Sequence, residues 1–356
     1  MIKKLKIFKN KKILITGHNG FKGSWLTIWL NLLGAKVVGI SLKDNNQNNH
    51  FNLVKKKIKI KSYYFDLRNK TKIQNVIIKE QPDYIFHLAA QSLVYKSVMN
   101  PRFNWETNVL GLLNLLESIY KLKKRCYAII ITSDKCYKNL EQKKGYSETD
   151  VLGGIDPYSA SKASAEILFH SYYQTFFANK KKNIRLCTAR AGNVIGGGDW
   201  SDFRLIPDCM KKWLNNKTPI IRNPNSTRPW QHVLEALSGY LVLAYELSIN
   251  NKINGHSFNF SSDKIKDITV ENFLKKIHKK WPTIKWKIKN RNKFYESSLL
   301  QLNNTKAKKI LNWKAKLNIN ETIDFVVEWY KNFDTEKQKT FIISRKQIIK
   351  FMKKKK

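Results

Sequence analysis

The 356-residue sequence is poor in acidic residues, arginine, cysteine and long apolar runs. No apolar stretch approaches the length that crosses a bilayer, and the basic N-terminus has no uninterrupted apolar core, so we expect neither a membrane segment nor a secretory signal. The four cysteines (Cys126, Cys136, Cys187 and Cys209) form no CxxC pair, which excludes a dense disulfide framework and predicts free thiols in a reducing cytoplasm. The seven histidines show no HExxH or other ligand spacing, which argues against a metal enzyme.

The formal net charge of +41 comes from 67 basic and 26 acidic residues. A nucleic-acid-binding protein would explain such a charge, because lysines neutralise phosphates. Only 10 of the basic residues are arginine, however, and the 57 lysines form short clusters along the whole chain rather than one stripe. Proteins that read bases and phosphates rely on the arginine fork, so the pattern favours a solvated surface and no specific nucleic-acid partner. The positive field would still help to gather an anionic small substrate.

The first half of the chain alternates short β-rich runs with longer amphipathic segments. Strands separated by helices of this length pair in parallel through right-handed crossovers, which predicts an α/β fold with a Rossmann-type doubly wound parallel sheet. The predicted strands are 12–16, 36–40, 59–65, 83–88, 127–132 and 184–190, and the predicted helices between them are 21–33, 71–80, 104–124 and 157–178.

The pattern loosens after about residue 190, where Gly, Pro and Asn gather. We therefore predict a dinucleotide-binding Rossmann domain over 1–190, to which an apolar helix within 226–249 returns. A smaller C-terminal α/β lobe made of 191–225 and 250–340 would bind the substrate. Residues 341–356 would form a basic tail that ends in a disordered run, MKKKK.

The first strand is followed by the glycine-rich stretch TGHNGFKGSWL. Gly17, Gly20 and Gly23 permit the tight turn and the close approach of a pyrophosphate, and the N-terminus of the next helix offers free N–H groups to an anion. Glycine turns are common, but this one lies at the first strand–helix junction of a βαβ unit. It therefore predicts a dinucleotide site.

The end of the second strand leaves the choice between NAD and NADP open. A chain that binds NAD often carries an acid there to hold the ribose hydroxyls. Here Ser41 follows the strand, Asp44 comes slightly later, and Lys43 would tolerate a phosphate.

Two later strand ends also point to the cofactor. Asp66 follows the third strand, where it would reach the adenine amino group or simply form a turn. Ala89 and Ala90 follow the fourth strand, where small side chains let a dinucleotide lie close. We expect His87, in the same strand, to be a packed side chain rather than a ligand or base.

Polar side chains gather after the fifth strand and at the start of the next helix. TSDKCYK brings together Ser133, Asp134 and Lys135, and DPYSASK carries Tyr158 and Lys162 four residues apart, on one face of a helix. An ammonium group beside a phenol favours the phenolate, so we expect Lys162 and an oxidised nicotinamide to lower the pKa of Tyr158 from about 10.

These motifs resemble those of the extended short-chain dehydrogenase/reductases that act on nucleotide sugars, in the branch of CDP-glucose 4,6-dehydratases. The similar stretches cover nearly the whole chain, and SDKCY with GNVIGGGDW narrows the resemblance to the CDP-glucose branch. The resemblance implies NAD as cofactor, CDP-glucose as substrate, and a homodimer formed through the helices at 104–124 and 157–178. The stretches are TGHNGFKGSWL, PDYIFHLAAQSLV, TSDKCY, DPYSASK, RAGNVIGGGDW, RLIPD and RPWQHVLE.

The resemblance also implies a redox-neutral reaction in three steps. Tyr158, oriented by Lys162 and partnered by Ser133, removes the proton of the sugar 4-hydroxyl while hydride passes from C4 to NAD. Water is then eliminated across C5 and C6, and hydride returns to C6. Asp134 is the candidate acid for the leaving hydroxyl, and Lys135 is either the base for C5 or a cation that stabilises the enolate.

Further binding residues follow from the same resemblance. The chain departs from the family at Tyr95, where an arginine is usual and Lys96 is an adjacent substitute, and at Asn303, which replaces an aspartate. These departures concern the substrate side rather than the chemistry. We expect the cofactor to contact also Phe21, Leu67, Leu88 and Asn108, and the substrate to contact Gln91, Asn193, Arg204, Arg228 and His232.

Three alternatives remain at this point. A nucleotide-sugar 4-epimerase would use the same Tyr158 and Lys162 but has no need of Asp134 and Lys135. A 4,6-dehydratase for another nucleoside-diphosphate hexose would follow the same reaction, although the family acting on dTDP-glucose carries Glu where this chain has Lys135. A basic nucleic-acid-binding protein on an inactive Rossmann fold would explain the charge but not the intact reacting set.

Overall fold

The computed structural model describes residues 2–142, 144–179, 183–262, 268–289 and 300–355. Its centre is a seven-stranded sheet with the strand order β10-β6-β5-β4-β1-β2-β3, in which every pair is parallel. This confirms the predicted Rossmann-type α/β fold. The strands are β1 (Lys12–Thr16), β2 (Lys36–Ser41), β3 (Ile60–Tyr64), β4 (Tyr84–His87), β5 (Cys126–Ile131), β6 (Ile184–Ala191), β7 (Val194–Ile195), β8 (Ile220–Ile221), β9 (Gln231–His232), β10 (Ser257–Phe260) and β11 (Lys287–Ile288).

Helices cover both faces of this sheet. In the first half of the chain they fill the intervals that the apolar periodicity predicts. The helices are α1 (Ile2–Leu5), α2 (Phe21–Leu32), α3 (His50–Val54), α4 (Lys70–Glu80), α5 (Val94–Met99), α6 (Pro101–Trp105), α7 (Gly111–Tyr120), α8 (Pro157–Tyr172), α9 (Leu205–Trp213), α10 (Val233–Ile249), α11 (Val270–Lys280), α12 (Thr305–Leu311), α13 (Ile319–Thr335) and α14 (Thr340–Lys353).

The strand side chains alternate between two apolar cores. Successive side chains of a strand point to opposite faces, so Ile13 and Ile15 of β1 pack with α2 and α10, whereas Leu14 packs with α4, α7 and α8. Because both faces are buried, β1 reads as a continuous apolar run rather than an alternating one, as expected of a parallel sheet.

The second half of the chain adds two small parallel sheets to the main one. They pair β7 with β9 and β8 with β11. One element departs from the predicted division of the chain: β10 falls within 250–340, the range assigned to the substrate lobe, yet it pairs with β6 at the edge of the main sheet.

The C-terminal segment is an ordered helix, so the expectation of a basic tail over 341–356 is wrong for most of that range. Helix α14 packs against α2, α3 and α13 and buries Ile343, Ile348 and Phe351. The Lys316 ammonium group donates to the backbone oxygens of Phe351 and Lys354, at 3.1 and 2.6 Å, and so caps the end of the helix. The run MKKKK suggested a disordered tail, but the apolar residues of the amphipathic helix α14 lie before this run in the sequence.

None of the helices formed by the described residues is both long and apolar enough to cross a bilayer.

Truncation of Phe351 tests the packing of α14. Its ring is fully buried and lies 5.7 Å from that of Trp29. We expect Phe351→Ala to lower the free energy of unfolding by about 3–5 kcal/mol, because the change leaves a cavity. Ile342→Ala, on the exposed side of the same helix, should change it by less than about 0.5 kcal/mol. Chemical denaturation measures both values, and equal small effects would contradict the packing described here.

Candidate functional site

The carboxyl ends of β1, β4 and β5 meet at one edge of the sheet, and the predicted site residues follow these ends. Thr16 of β1 is the register partner of His87 of β4, and His87 is also the register partner of Ile130 of β5. The side chains of Thr16 and His87 are hydrogen-bonded, with 2.8 Å between Oγ1 and Nδ1, and His87 is buried. His87 is therefore a packed strand-end residue, as predicted.

The glycine-rich turn has a shape that other residues could not adopt. Gly17 has φ of +74°, and a Cβ atom on it would stand 2.9 Å from the backbone of Ala89. A Cβ atom on Gly23 would collide with the carbonyl oxygen of Gly17. The turn leads directly into α2, whose first N–H groups are free to bind an anion, so it fits the pyrophosphate of a dinucleotide. Phe21 follows the turn, and a Cβ atom on Gly196 would stand 3.2 Å from its ring.

A cavity of about 460 Å³ lies beyond the ends of β2 and β3. Its lining includes Lys43, Asp44 and Tyr64. Asp44 accepts hydrogen bonds from the backbone N–H of Asn46 at 2.8 Å and from the side chain of Asn49 at 2.6 Å, so its carboxylate also organises the loop. Asp44 and Lys43, on which the open choice between NAD and NADP depends, both line this cavity.

Asp66 is held by an arginine two residues later. Arg68 donates to its carboxylate at 2.9–3.0 Å and also pairs with Glu106 at 2.8 Å. Burial alone would raise the pKa of Asp66, but its hydrogen bonds and ion pair with Arg68 hold that pKa below its ordinary value. The neighbouring Leu67 is buried, and its carbonyl accepts a hydrogen bond from Asn114.

The segment after β4 is fixed by two buried amides. Leu88 donates its N–H to the carbonyl of Thr16 at 3.1 Å, and Ala89 and Ala90 are half-buried. The Asn108 side chain donates to Gln91 O and Ser161 Oγ and accepts from the Gln91 N–H. The Gln91 side chain in turn bonds the backbone of the nearby Leu93. Both amides are thus engaged within the protein, where they clamp this segment to α8.

The predicted reacting residues lie next to one another. The hydroxyl of Ser133 donates to Asp134 Oδ1 at 2.8 Å, and the buried Tyr158 is close enough to Ser133 for that hydroxyl to act on the pKa of the phenol. A Cβ atom on Gly192 would collide with the Asp134 carboxylate, so only glycine leaves room for this acid. Lys135 follows in the same single helical turn and is only partly exposed.

Burial sets the titration of the tyrosine–lysine pair. Burial raises the pKa of Tyr158 to about 12, although the hydrogen bond with Ser133 opposes this rise. Burial also lowers the pKa of Lys162 to about 8. The Lys162 amine lies 6.0 Å from the centre of the Tyr158 ring. The expected lowering of this pKa involves Lys162 together with an oxidised nicotinamide and stays a prediction; with the protein's groups alone, desolvation of the phenolate outweighs the other effects.

A fully buried ion pair holds together the elements that carry the reacting residues. Glu166, one helical turn after Lys162, pairs with Arg190 of β6 at 2.8 Å. The Glu166 carboxylate also accepts hydrogen bonds from Thr132, directly before Ser133, and from Thr188 at 2.9 Å. The pair therefore joins α8 to β6 and to the end of β5.

On the predicted substrate side, the partly exposed Arg204 joins the segment before α9 to the segment after β4. Its guanidinium pairs with Asp199 at 3.1 Å and donates to the Ser92 hydroxyl at 3.3 Å. Arg204 lies close enough to Tyr158 to influence its titration. Asn193 has a positive φ of 41° and accepts the N–H of Gln231 at its carbonyl, and the half-buried Arg228 donates to the carbonyl of Thr227.

His232 does not face the cleft, and its predicted contact with the substrate is wrong. Its side chain is completely buried, caps α10 by accepting the N–H of Leu234, and packs edge-on against Trp25 and Phe325. Burial lowers its pKa to about 3. His232 is a buried residue at the start of α10.

Tyr95 and Asn303, the two departures from the family pattern, both make contacts within the protein. Tyr95 stacks on Phe203, with ring centres 4.0 Å apart. Asn303 accepts the N–H of Thr305 with its side-chain oxygen at 2.8 Å, a role that aspartate could also perform. Of the stretch YESSLLQLN, residues 295–299 lie outside the described part of the chain.

One charged residue near the reacting set was missed by the sequence reasoning. Lys22, on the first turn of α2, donates to the hydroxyl of the buried Tyr240 at 3.4 Å. Burial lowers its pKa to about 7, and Asp134 and Lys162 are among the charges that act on it. It is the one charged residue in the helix FKGSWLTIWLNL, and that was the available signal.

The thiols and histidines form no further centre. All four cysteines are free and buried, and no cluster of metal-ligating side chains occurs within the described ranges.

Comparisons with known proteins agree with this fold. The sequence profile of the GDP-mannose 4,6 dehydratase family matches residues 14–325. The CDP-glucose 4,6-dehydratase of Salmonella typhimurium is 38% identical over 349 residues, which cover 97% of each chain. Among solved structures, an epimerase of Methanothermobacter thermautotrophicus superposes with a TM-score of 0.81 at 22% identity, over 95% of this chain and 97% of that one. The dTDP-glucose 4,6-dehydratase of Bacillus anthracis, in complex with NAD, gives a TM-score of 0.75 at 21% identity, over 92% and 98%.

Removal of the charge on Glu166 tests the buried ion pair. Burial would raise the pKa of Glu166, but Arg190 and the neighbouring hydrogen bonds lower it overall. Such a group stabilises the fold above its unfolded pKa of about 4.3, and the stabilisation is lost as the pH falls through the lower folded value. We expect Glu166→Gln to cost about 3–5 kcal/mol at pH 7, because Arg190 is left buried and unpaired.

The pH dependence and a matched control complete this test. The difference in unfolding free energy between the wild type and Glu166→Gln should narrow below about pH 4. Glu271→Gln, which removes the exposed pair with Lys275, should cost less than about 1 kcal/mol. A cost for Glu166→Gln as small as that of the control would contradict the role assigned to the pair.

Proposed function

The chain belongs to the GDP-mannose 4,6-dehydratase family, and from that premise we propose that it dehydrates CDP-glucose to CDP-4-keto-6-deoxyglucose with NAD as the bound cofactor. The enzyme is a hydro-lyase of the nucleotide-sugar 4,6-dehydratase type. The observation that carries the proposal is the grouping of Tyr158 with Ser133 and Asp134, in which Ser133 donates to Asp134, and with Lys135 beside them. An epimerase would need the tyrosine but has no use for the acid and the second lysine.

The cofactor residues support NAD binding at the carboxyl edge of the sheet. Gly17, Gly20 and Gly23 leave room for the pyrophosphate, and we assign Asp66 to the amino group of the adenine. The clamp of Asn108 and Gln91 holds the segment of Ala89 and Ala90, along which the dinucleotide would lie. When bound, NAD supplies a hydride acceptor at C4 and a hydride donor at C6.

Tyr158 removes the proton of the 4-hydroxyl in the first step. With only the protein's own groups around it, Tyr158 has a pKa of about 12. At neutral pH this leaves too little phenolate for Tyr158 to act as a base. The positive charge of the oxidised nicotinamide and the ammonium group of Lys162 oppose the effect of burial. Ser133 donates to Asp134 at 2.8 Å and lies beside the phenol, so we assign it the role of holding the phenol in place.

Asp134 and Lys135 perform the elimination. The 4-ketone makes the C5 proton acidic, and Lys135 either removes that proton or stabilises the enolate with its charge. Asp134 protonates the 6-hydroxyl so that it leaves as water. The room that Gly192 leaves for the Asp134 carboxylate supports this role, since a larger residue would displace the acid.

Arg204 is suited to the diphosphate of the substrate because its guanidinium fork donates in pairs. It is already oriented by Asp199 and Ser92 at the mouth of the cleft. We assign Asn193, Arg228 and Gln91 to the same side on the family resemblance, with Gln91 acting through the loop it folds. Tyr95 and its stacking partner Phe203 stand where the family has an arginine, so this chain contacts its substrate differently there.

We also propose a cytoplasmic homodimer and a place in deoxysugar biosynthesis, such as that of lipopolysaccharide O-antigen. The helices implied in dimerisation carry exposed apolar side chains, among them Leu110 and Ile167. Apolar side chains of this kind are common at subunit interfaces.

The direct test is incubation with CDP-, dTDP-, UDP- and GDP-glucose in heavy water. We expect a 4-keto-6-deoxy product from CDP-glucose that carries deuterium at C5, because the C5 proton is removed and replaced from solvent. An unlabelled 4-epimer would instead identify a 4-epimerase. Turnover of another nucleotide sugar would identify a dehydratase with a different substrate. Salt-sensitive DNA binding without any turnover would favour the hypothesis of a nucleic-acid-binding protein.

Replacement of Lys135 separates the two halves of the reaction. We expect Lys135→Met to form NADH transiently at a rate within about tenfold of the wild type but to lose water at least about 100-fold more slowly. Tyr158→Phe should instead fail to form NADH. Rapid-mixing absorbance of NADH and analysis of the product distinguish the two variants. Normal turnover by Lys135→Met would refute both of the roles considered for this lysine.

A further inference from the structure

Residues 199–204 form a segment that connects the second half of the chain to the carboxyl edge of the main sheet. Its first end is fixed to α13, because the hydroxyl of Tyr330 donates to the carbonyl of Asp199 at 2.8 Å. At its other end Arg204, directly before α9, donates to the Ser92 hydroxyl at 3.3 Å. Ser92 belongs to the segment that follows β4, so the contact joins the two parts of the chain on the predicted substrate side.

Tyr95 and Phe203 form a second contact between the same two segments. Their rings are stacked, with centres 4.0 Å apart and 27° between the planes. The two residues are 41% and 53% exposed, so the stack contributes little to the apolar cores. Phe203 also has a φ of +61°, a strained conformation that an aromatic residue holds only where its surroundings favour it. The stack with Tyr95 is a contact that favours it.

Helix α5 connects this stack with the candidate base. Ser97, two residues after Tyr95, is completely buried, and its hydroxyl accepts the backbone N–H of Tyr158 at 3.1 Å. The whole of α5 also packs against α8, the helix that carries Tyr158. The stack therefore fixes Phe203, and with it the next residue, Arg204, relative to the helix of the reacting tyrosine.

Arg204 is a residue that benefits from being held in place. Its Nη1 pairs with Asp199 at 3.1 Å and its Nη2 bonds the Ser92 hydroxyl, yet the side chain is still 33% exposed. A guanidinium has five N–H donors, so these bonds leave donors for a phosphate. A flexible side chain that is already oriented loses less conformational entropy when its ligand binds, which raises the affinity.

We infer that Tyr95 and Phe203 are positioning residues for the substrate: their stacked rings hold the 199–204 segment against α5 and so orient Arg204 for the diphosphate of a nucleotide sugar. The inference rests on the proposed function, which assigns Arg204 to the diphosphate. Neither ring has to touch the substrate. The departure from the family at Tyr95 thus acts on the substrate side through Arg204.

The experiment measures the affinity for CDP, which carries the diphosphate but no sugar that reacts. We expect Tyr95→Ala to raise the Kd of CDP, measured by titration calorimetry with NAD present, by about five- to tenfold, because the energy of the aromatic pair is lost. The KM for CDP-glucose should rise by a similar factor, whereas the maximal rate of NADH formation should stay within about twofold of the wild type.

Three further variants separate the ring from other effects. Tyr95→Phe keeps the ring and should match the wild type. Phe203→Gly removes the ring at a position whose φ suits glycine, so it should weaken CDP binding as Tyr95→Ala does, although it relieves the backbone strain. Val98→Ala, at an exposed position of the same helix α5, is the control and should match the wild type.

A double-mutant cycle tests whether the rings act through Arg204. Arg204→Ala should weaken CDP binding by at least about tenfold, because hydrogen bonds between charged groups are lost. In that background Tyr95→Ala should cause no further loss, since the side chain that the stack orients is gone.

The outcomes distinguish this inference from the proposed function. If the wild type binds CDP but forms no 4-keto-6-deoxy product from CDP-glucose, the proposed dehydration fails, and the CDP affinities still decide the role of the rings. An unchanged Kd of CDP in Tyr95→Ala or in Phe203→Gly overturns that role. An equal effect of Tyr95→Ala with and without Arg204 overturns it as well.

Discussion

The parallel pairing of β1, β4 and β5 is the constraint on which the site depends. Parallel strands bring their carboxyl ends to one edge of a sheet, so the glycine-rich turn, the Ala89–Ala90 segment and the turn at Ser133 meet there. Helix α8 adds Tyr158 to the same edge, and the Glu166–Arg190 pair ties that helix back to β6. The chemistry follows from this assembly, because no single segment carries a complete set of reacting groups.

Desolvation is the dominant electrostatic effect at this edge. It raises the pKa of Tyr158 and lowers those of Lys162 and Lys22, and in each case the neutral form gains. A charge added to this desolvated site therefore has a large effect on the pKa values of these groups. In the proposed reaction, a cationic cofactor ring and an anionic substrate would each change the protonation of these groups, and the cation would favour the phenolate of Tyr158.

The sequence predicted what depends on local pattern. The six strands of the first half, the turn at Gly17 and the pairing of Tyr158 with Lys162 follow from residue spacing, and the structure has all of them. It could not predict what depends on distant packing. The burial of His232 is set by Trp25 and Phe325, the order of α14 by its contacts with α2 and α13, and the place of β10 by its pairing with β6. The low pKa of Lys22 likewise arises from groups that are far away in the chain.

The central claim is that an acid and an amine next to the nicotinamide remove water from the transiently oxidised sugar. The most direct measurement is a crystal structure with NAD and CDP-glucose bound. It should show the Asp134 carboxylate within about 2.6–3.2 Å of the 6-oxygen and the Lys135 amine directed at C5. Side chains of Asp134 and Lys135 that point away from the hexose, beyond the reach of C5 and C6, would contradict the account.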